Sequence, residues 1–235
     1  MEGTFYGIGV GPGDPELLTV KAINAIKNSE IIIAPKTEKK SDSLALTIAS
    51  PYLRADVQIV YQTFLMVKDF ETSPKIFEDN VAEILSYLRT GKNVGFLTLG
   101  DPLFFSTYIY IFKLLKNSGV KIETIAGVPA FLAIAAKIGY PPAYGNDILS
   151  IIPATADAEK ISAALKVSDA AVLMKVYKNY GEIVELLDAE KLLENAALVS
   201  RCGLEGEKII TDINSHKDEK LNYLSTILTR RNFES

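Results

Sequence analysis

The sequence predicts an α/β protein made of two α/β domains, each with a mostly parallel or mixed sheet covered by helices. Three observations carry this reading. Short β-rich runs alternate with longer segments of helical apolar spacing along the first part of the chain. A stretch rich in Pro, Gly and Tyr, IGYPPAYGND (138–147), then interrupts the alternation. Beyond it a second set of strand patterns begins, with helical candidates of its own. The expected domains are 1–143 and 144–235.

In chain order, TFYGIGV (4–10), EIIIAP (30–35), DVQIVY (56–61), NVGFLTL (93–99) and VKIETI (120–125) read as strands. Between them ELLTVKAINAIKN, DSLALTIASPYL, PKIFEDNVAEILSYLRTG and LFFSTYIYIFKLLKNSG carry helical spacing. The second half offers ILSIIPA (148–154), DAAVLMKVY (169–177), AALVSRCG (196–203), EKIITDI (207–213) and YLSTILTRR (223–231) as strands, with AEKISAALK and YGEIVELLDAEKLLE as helices.

Composition excludes several chemistries. The chain has 235 residues, 48% hydrophobic and 23% charged, which suits a packed globular protein. No apolar run approaches the ~20 residues of a membrane span. The opening MEGTFYGIGV has no basic region or cleavage site of a secretory leader. A net charge of −4 gives no global reason to expect nucleic acid. One cysteine, Cys202, and one histidine, His216, cannot build a Cys/His zinc cluster, and no protein-bound metal is expected. The lone cysteine fits a reducing, cytoplasmic setting. A Ser-His-Asp hydrolase would need His216, which sits in the polar stretch INSHKDEK. There is no GxSxG or GxxxxGK[ST] motif. An enzyme of this composition would position its substrates and leave the reactive group to a cosubstrate.

Four segments stand out. GIGVGPGDPELLT (7–19) places four glycines between a strand and a helix, but lacks the GxGxxG spacing, and the second strand ends IIIAPK with no acid for a ribose. Asp14 with Pro15 reads as a helix cap and first turn. LTLGDPLFFSTYIY (97–110) repeats that grammar, so Asp101 reads either as a cap or as a ligand floor at the carboxyl end of a strand. IAGVPAFLAIAAKIGYPPAYGND (125–147) has a turn of small residues, and VLMKVYKN (172–179) delivers Met174 and Lys175 to a strand end.

Together and in this order, the segments resemble the tetrapyrrole methylase family, across nearly the whole chain. GVGPGDPELLT, LGDPLFFST, AGVPAF and VLMKVY correspond to the family's GxGPGDxxLLT-like opening, GDP turn, PGVSS-like turn and methionine-bearing strand. LTLGDP with FSTYIY, then GVPAFLAIAAKIGYPPAYGND and IIPAT, is similar to the branch methylating carbon 20 of precorrin-2 or its cobalt form. One departure is AGVPA in place of PGVSS, which removes two serine hydroxyls from that turn.

The resemblance implies S-adenosylmethionine held in the cleft between the two domains, and a homodimer. It implies cofactor contacts from Leu99, Gly100, Asp101, Phe104, Pro129, Ala130, Met174, Lys175, Val176, Cys202, Gly203, Leu224, Ser225 and Thr226. Pro12, Gly13, Lys36 and Arg201 are candidates for the tetrapyrrole side, where a polycarboxylate ring calls for cations; Lys39, Lys40 and Lys178 also fall on loops after strands. Asp101, Tyr108 and Tyr110 are the candidates for a base. Another methyl acceptor, or a binding protein that kept the fold without catalysis, are the alternatives. Whether the ring carries cobalt is open.

Overall fold

The computed structural model describes residues 2–36, 42–64 and 74–232. The chain divides into two compact units, Met1–Pro129 and Ala130–Ser235.

In the first unit, β1 (Thr4–Gly9), β2 (Ile31–Lys36), β3 (Gln58–Thr63), β4 (Val94–Thr98) and β5 (Lys121–Ile125) form a sheet in the order β3-β2-β4-β1-β5. Every pairing is parallel. The middle strand β4 is buried along its whole length, while the edge strands β3 and β5 are only partly covered. This is the burial expected of a parallel sheet packed on both faces. The period of two sorts the side chains. Phe5, Ile31, Ile33 and Phe96 meet α3 (Pro74–Arg89) and α4 (Tyr108–Leu115) on one face, in a core completed by Phe77, Ile84 and Ile111. Ile8, Ile32 and Leu97 meet α1 (Val20–Lys27) and α2 (Leu44–Ala49) on the other, with Ala22, Ile26 and Ile48.

Two helix starts differ from expectation. Asp14 accepts from the Glu16 N–H at 2.9 Å but caps only a 3-10 turn, Pro15–Leu17. The α-helix begins at Val20, where Thr19 accepts from the Ala22 N–H at 3.1 Å. After Asp101-Pro102 the helix is likewise delayed, to Tyr108.

The second unit holds β6 (Leu149–Pro153), β7 (Ala170–Met174), β8 (Ala197–Ser200), β9 (Lys208–Ile210) and β10 (Ser225–Arg230) in the order β6-β7-β10-β8-β9. Only β6 and β7 pair in parallel; β10 runs antiparallel to both neighbours, and β9 antiparallel to β8. Its core gathers Leu173, Leu198 and Ile227 from the sheet with Ile161 and Leu165 from α6 (Ala158–Lys166) and Ile183 and Leu187 from α7 (Tyr180–Ala189).

The division between units falls at 129/130, ahead of the 143/144 read from the sequence. AFLAIAAKI forms a helix, α5 (Ala130–Ile138), and the connector after it is bound to the second unit. Arg230, 2% exposed, donates to the Pro141 carbonyl at 3.0 Å and to the Asp147 carboxylate at 2.6 Å, with its guanidinium 4.2 Å from the Tyr144 ring centroid. The Tyr140 hydroxyl donates to the Asn195 carbonyl at 2.7 Å. Among the described residues no helix is long and apolar enough to cross a membrane.

Candidate functional site

In the first unit, the turns after β1, β4 and β5 meet main chain to main chain. Gly11 and Gly100 form an antiparallel bridge, the Gly100 N–H donating to the Gly11 carbonyl at 2.8 Å. A Cβ at Gly127 would lie 2.1 Å from the Gly100 carbonyl oxygen, and one at Gly9 only 2.6 Å from the Gly127 Cα. These glycines are required by close approach. Gly100 differs: its φ is +70°, and a Cβ there would meet nothing nearer than the Val128 oxygen at 4.0 Å. The Cβ side of Gly100 is therefore free of everything but its chain neighbours.

Asp101 joins two of the turns. One carboxylate oxygen accepts from the Leu103 N–H at 2.9 Å and the other from the Gly127 N–H at 3.0 Å. It is neither the cap of α4 nor a carboxylate with both oxygens unspent. Pro12 and Gly13 are buried in the first turn. Phe104 packs edge-to-face on Phe105 at 4.7 Å, and Phe105 holds a left-handed φ of +49° with 44% of its surface exposed. Lys36, at the end of β2, lies 5.6 Å from the Tyr61 ring centroid. Lys39 and Lys40 lie outside the described residues.

Tyr108 is a core side chain, which removes it as a candidate base. It is fully buried and stacks on Phe5 at 6.1 Å, in space left by Gly7, where a Cβ would come within 2.2 Å of its ring. Its hydroxyl shares a 2.6 Å hydrogen bond with Thr124, and burial raises its pKa despite that bond. Tyr110 packs edge-on against Phe77 at 5.4 Å, part of the contact between α4 and α3.

In the second unit, the antiparallel course of β10 sets its first residues beside the last residues of β7 and β8. Thr226 pairs with Met174, and Ser225 with Ser200. The Ser225 hydroxyl donates to the Ser200 hydroxyl at 3.0 Å, and the Arg201 N–H to the Leu224 carbonyl at 2.9 Å. One sheet edge thus assembles Met174, Lys175, Val176, Arg201, Cys202, Gly203, Leu224, Ser225 and Thr226, residues separated in sequence by up to 52 positions. Val176 is fully buried and Cys202 is 7% exposed, the thiol pushed up in pKa by burial and then by Glu207. Glu207 accepts from the Gly203 N–H at 2.6 Å and pairs with Lys137 at 2.9 Å. Burial opposes its ionisation, but these two partners outweigh it and lower its pKa. Ala130 opens α5.

The sequence reading missed two features. Gly127 as the partner of Asp101 lies 26 positions away, so no local pattern announces it. The left-handed backbone at Lys175 and Arg201 has no residue-type signature either, since both carry a Cβ.

This arrangement of a parallel α/β unit followed by a mixed α/β unit is shared with solved tetrapyrrole methyltransferases. A cobalt precorrin-4 methyltransferase superposes with a TM-score of 0.77 at 20% identity, over 97% of this chain and 94% of that one. The uroporphyrin-III C-methyltransferase of Thermus thermophilus, solved with S-adenosylhomocysteine, gives a TM-score of 0.69 at 21% identity, over 96% and 97%. The chain belongs to the tetrapyrrole (corrin/porphyrin) methylase family, whose model matches residues 4–215. It is 36% identical to the cobalt-precorrin-2 C(20)-methyltransferase of Salmonella typhimurium, over 100% of this chain and 99% of that protein.

Proposed function

We propose that the chain is an S-adenosylmethionine-dependent methyltransferase that methylates the C-20 meso carbon of cobalt-precorrin-2 or precorrin-2. The observation that carries this is the end-to-end similarity, at 36% identity, to a relative bearing that activity in its name. The cosubstrate supplies an activated methyl group. The meso carbon contributes the electron pair of the new C–C bond, the C–S bond breaks onto sulfur, and the meso proton leaves to a base. The protein's work is then positioning, for which effective molarities correspond to roughly 7–11 kcal/mol at best.

The proposed cofactor contacts in the first unit are Leu99, Gly100, Asp101, Phe104 and Pro129. The free Cβ side of Gly100 supports them, because beyond its chain neighbours nothing lies nearer than 4.0 Å to that position. In the second unit they are Ala130, the 174–176 main chain, Cys202, Gly203 and Leu224–Thr226. Pro12, Gly13 and Lys36 remain proposed for the ring. Any cobalt is chelated by the substrate. We further infer a cytoplasmic homodimer from the family resemblance; sedimentation equilibrium tests the dimer.

Anaerobic incubation with methyl-labelled S-adenosylmethionine and either form of precorrin-2 tests the activity. The expected product carries one additional labelled methyl group, on carbon 20. Transfer to neither ring overturns the reading, and transfer to another carbon moves the protein to a different branch.

A further inference from the structure

We propose that Lys175 and Arg201 form a two-cation platform that binds carboxylates of a flat, polyanionic ring, with the Tyr177–Tyr223 pair set against the ring face. This rests on the tetrapyrrole reading above and deepens it.

Lys175 follows β7 and Arg201 follows β8, and β10 alone separates those strands. Two strand spacings put their main chains about 10 Å apart on one sheet edge. Both residues hold left-handed backbone, with φ +62° at Lys175 and +56° at Arg201. Glycine suits that conformation and side chains resist it, so the two strand ends share a constrained backbone that carries a long cationic side chain at each position. Lys175 is half-buried, and burial alone pulls its ammonium below the ordinary lysine pKa. Arg201 is set by its own turn: its Nε donates to the Glu205 carbonyl at 2.7 Å, which fixes the guanidinium plane. Of the two acids in the same turn, Glu207 is engaged by Gly203 and Lys137, and Glu205 is exposed.

Aromatic faces occupy the same edge. Tyr223 immediately precedes the Leu224–Thr226 stretch, is 44% exposed, and meets Tyr177 edge-on at 5.2 Å. Lys178 lies 5.7 Å from the Tyr177 ring centroid and adds a third cation. A ring bearing several carboxylates is attracted to such a cationic edge. The 174–176 main chain can still serve the cofactor while the ammonium of Lys175 serves the ring.

The test uses the full chain and uroporphyrin, a stable polycarboxylate ring, with binding followed by fluorescence. Wild type is compared with Lys175→Gly and Arg201→Gln; S-adenosylhomocysteine affinity and melting temperature are measured on the same preparations. Each variant should weaken ring binding roughly ten- to a hundredfold and make it less salt-sensitive. In Arg201→Gln, which lies outside the proposed cofactor contacts, S-adenosylhomocysteine affinity should stay within about twofold. Lys175→Gly should melt at or above the wild-type temperature, because glycine relieves the backbone. Arg201→Gln also loses its hold on Glu205, so Lys175→Gly decides the matter if that variant fails to fold. Unchanged ring affinity in Lys175→Gly, parallel loss of both ligands in a folded Arg201→Gln, or displacement of the ring by an oligonucleotide at equal concentration would each overturn the platform. If wild type binds no uroporphyrin and methylates neither form of precorrin-2, the tetrapyrrole reading fails and the platform with it. If wild type methylates the ring and the variants keep its KM, the platform alone fails.

Discussion

Asp101 shows how one residue can satisfy a local rule and a distant one together. The GDP turn makes it resemble a helix cap, and its Oδ1 does close a local turn at Leu103. Its Oδ2 holds the turn after β5 through Gly127. Asparagine can replace the first acceptor but presents an amide NH2 to the Gly127 N–H. Asp101→Asn is therefore expected to lower stability by about 1–3 kcal/mol, the cost of leaving such a donor unmet. Denaturant unfolding measures it, and an unshifted midpoint would show that the brace is idle. S-adenosylhomocysteine affinity should fall in the same variant, since the turn carrying Leu99 and Gly100 loses its anchor.

The elements differ in how much of them local sequence declares. All ten strands among the described residues are legible, because each is a short β-branched or apolar run bounded by turn residues. Helix α5 was not, since AFLAIAAKI has almost no polar face to set a period. The starts of α1 and α4 were misplaced because an Asp-Pro pair specifies a turn whether or not an α-helix follows at once. The connector at 138–147 was visible as a break, but its allegiance rests on Arg230, 83 residues from Asp147. Asp147→Ala would strand a buried guanidinium and should cost about 3–5 kcal/mol. Adding Arg230→Met should recover much of that loss, because an apolar side chain needs no counter-ion. Urea titration of both variants checks this, and equal stability would mean that the ion pair contributes little.

At the scale of the whole molecule, both units bury tyrosine hydroxyls. Burial raises the pKa of Tyr108 in the first unit and of Tyr140 and Tyr180 in the second, Tyr180 to about 12. Tyrosine in the unfolded chain titrates near 10. Between these values the folded state holds more protons than the unfolded one, so stability falls as pH rises. The Tyr180 contribution is complete below about pH 10 and is lost as pH rises through about 12. Tyr180→Phe should flatten part of that decline, while costing about 1 kcal/mol at neutral pH for the hydrogen bond to the Ile213 carbonyl. Equilibrium unfolding across a pH series reads both effects; an unchanged alkaline slope would remove Tyr180 from the account. The strand order of the second unit also bears on how the chain is made. Among the described residues β10 is the last strand to be synthesised, and it takes the middle place between β7 and β8. Until it emerges, the first unit already has every strand of its sheet, but the second consists of two separate strand pairs, β6–β7 and β8–β9, each with a bare inner edge. A nascent chain stalled short of residue 225 therefore carries a finished half beside a half open to wrong partners.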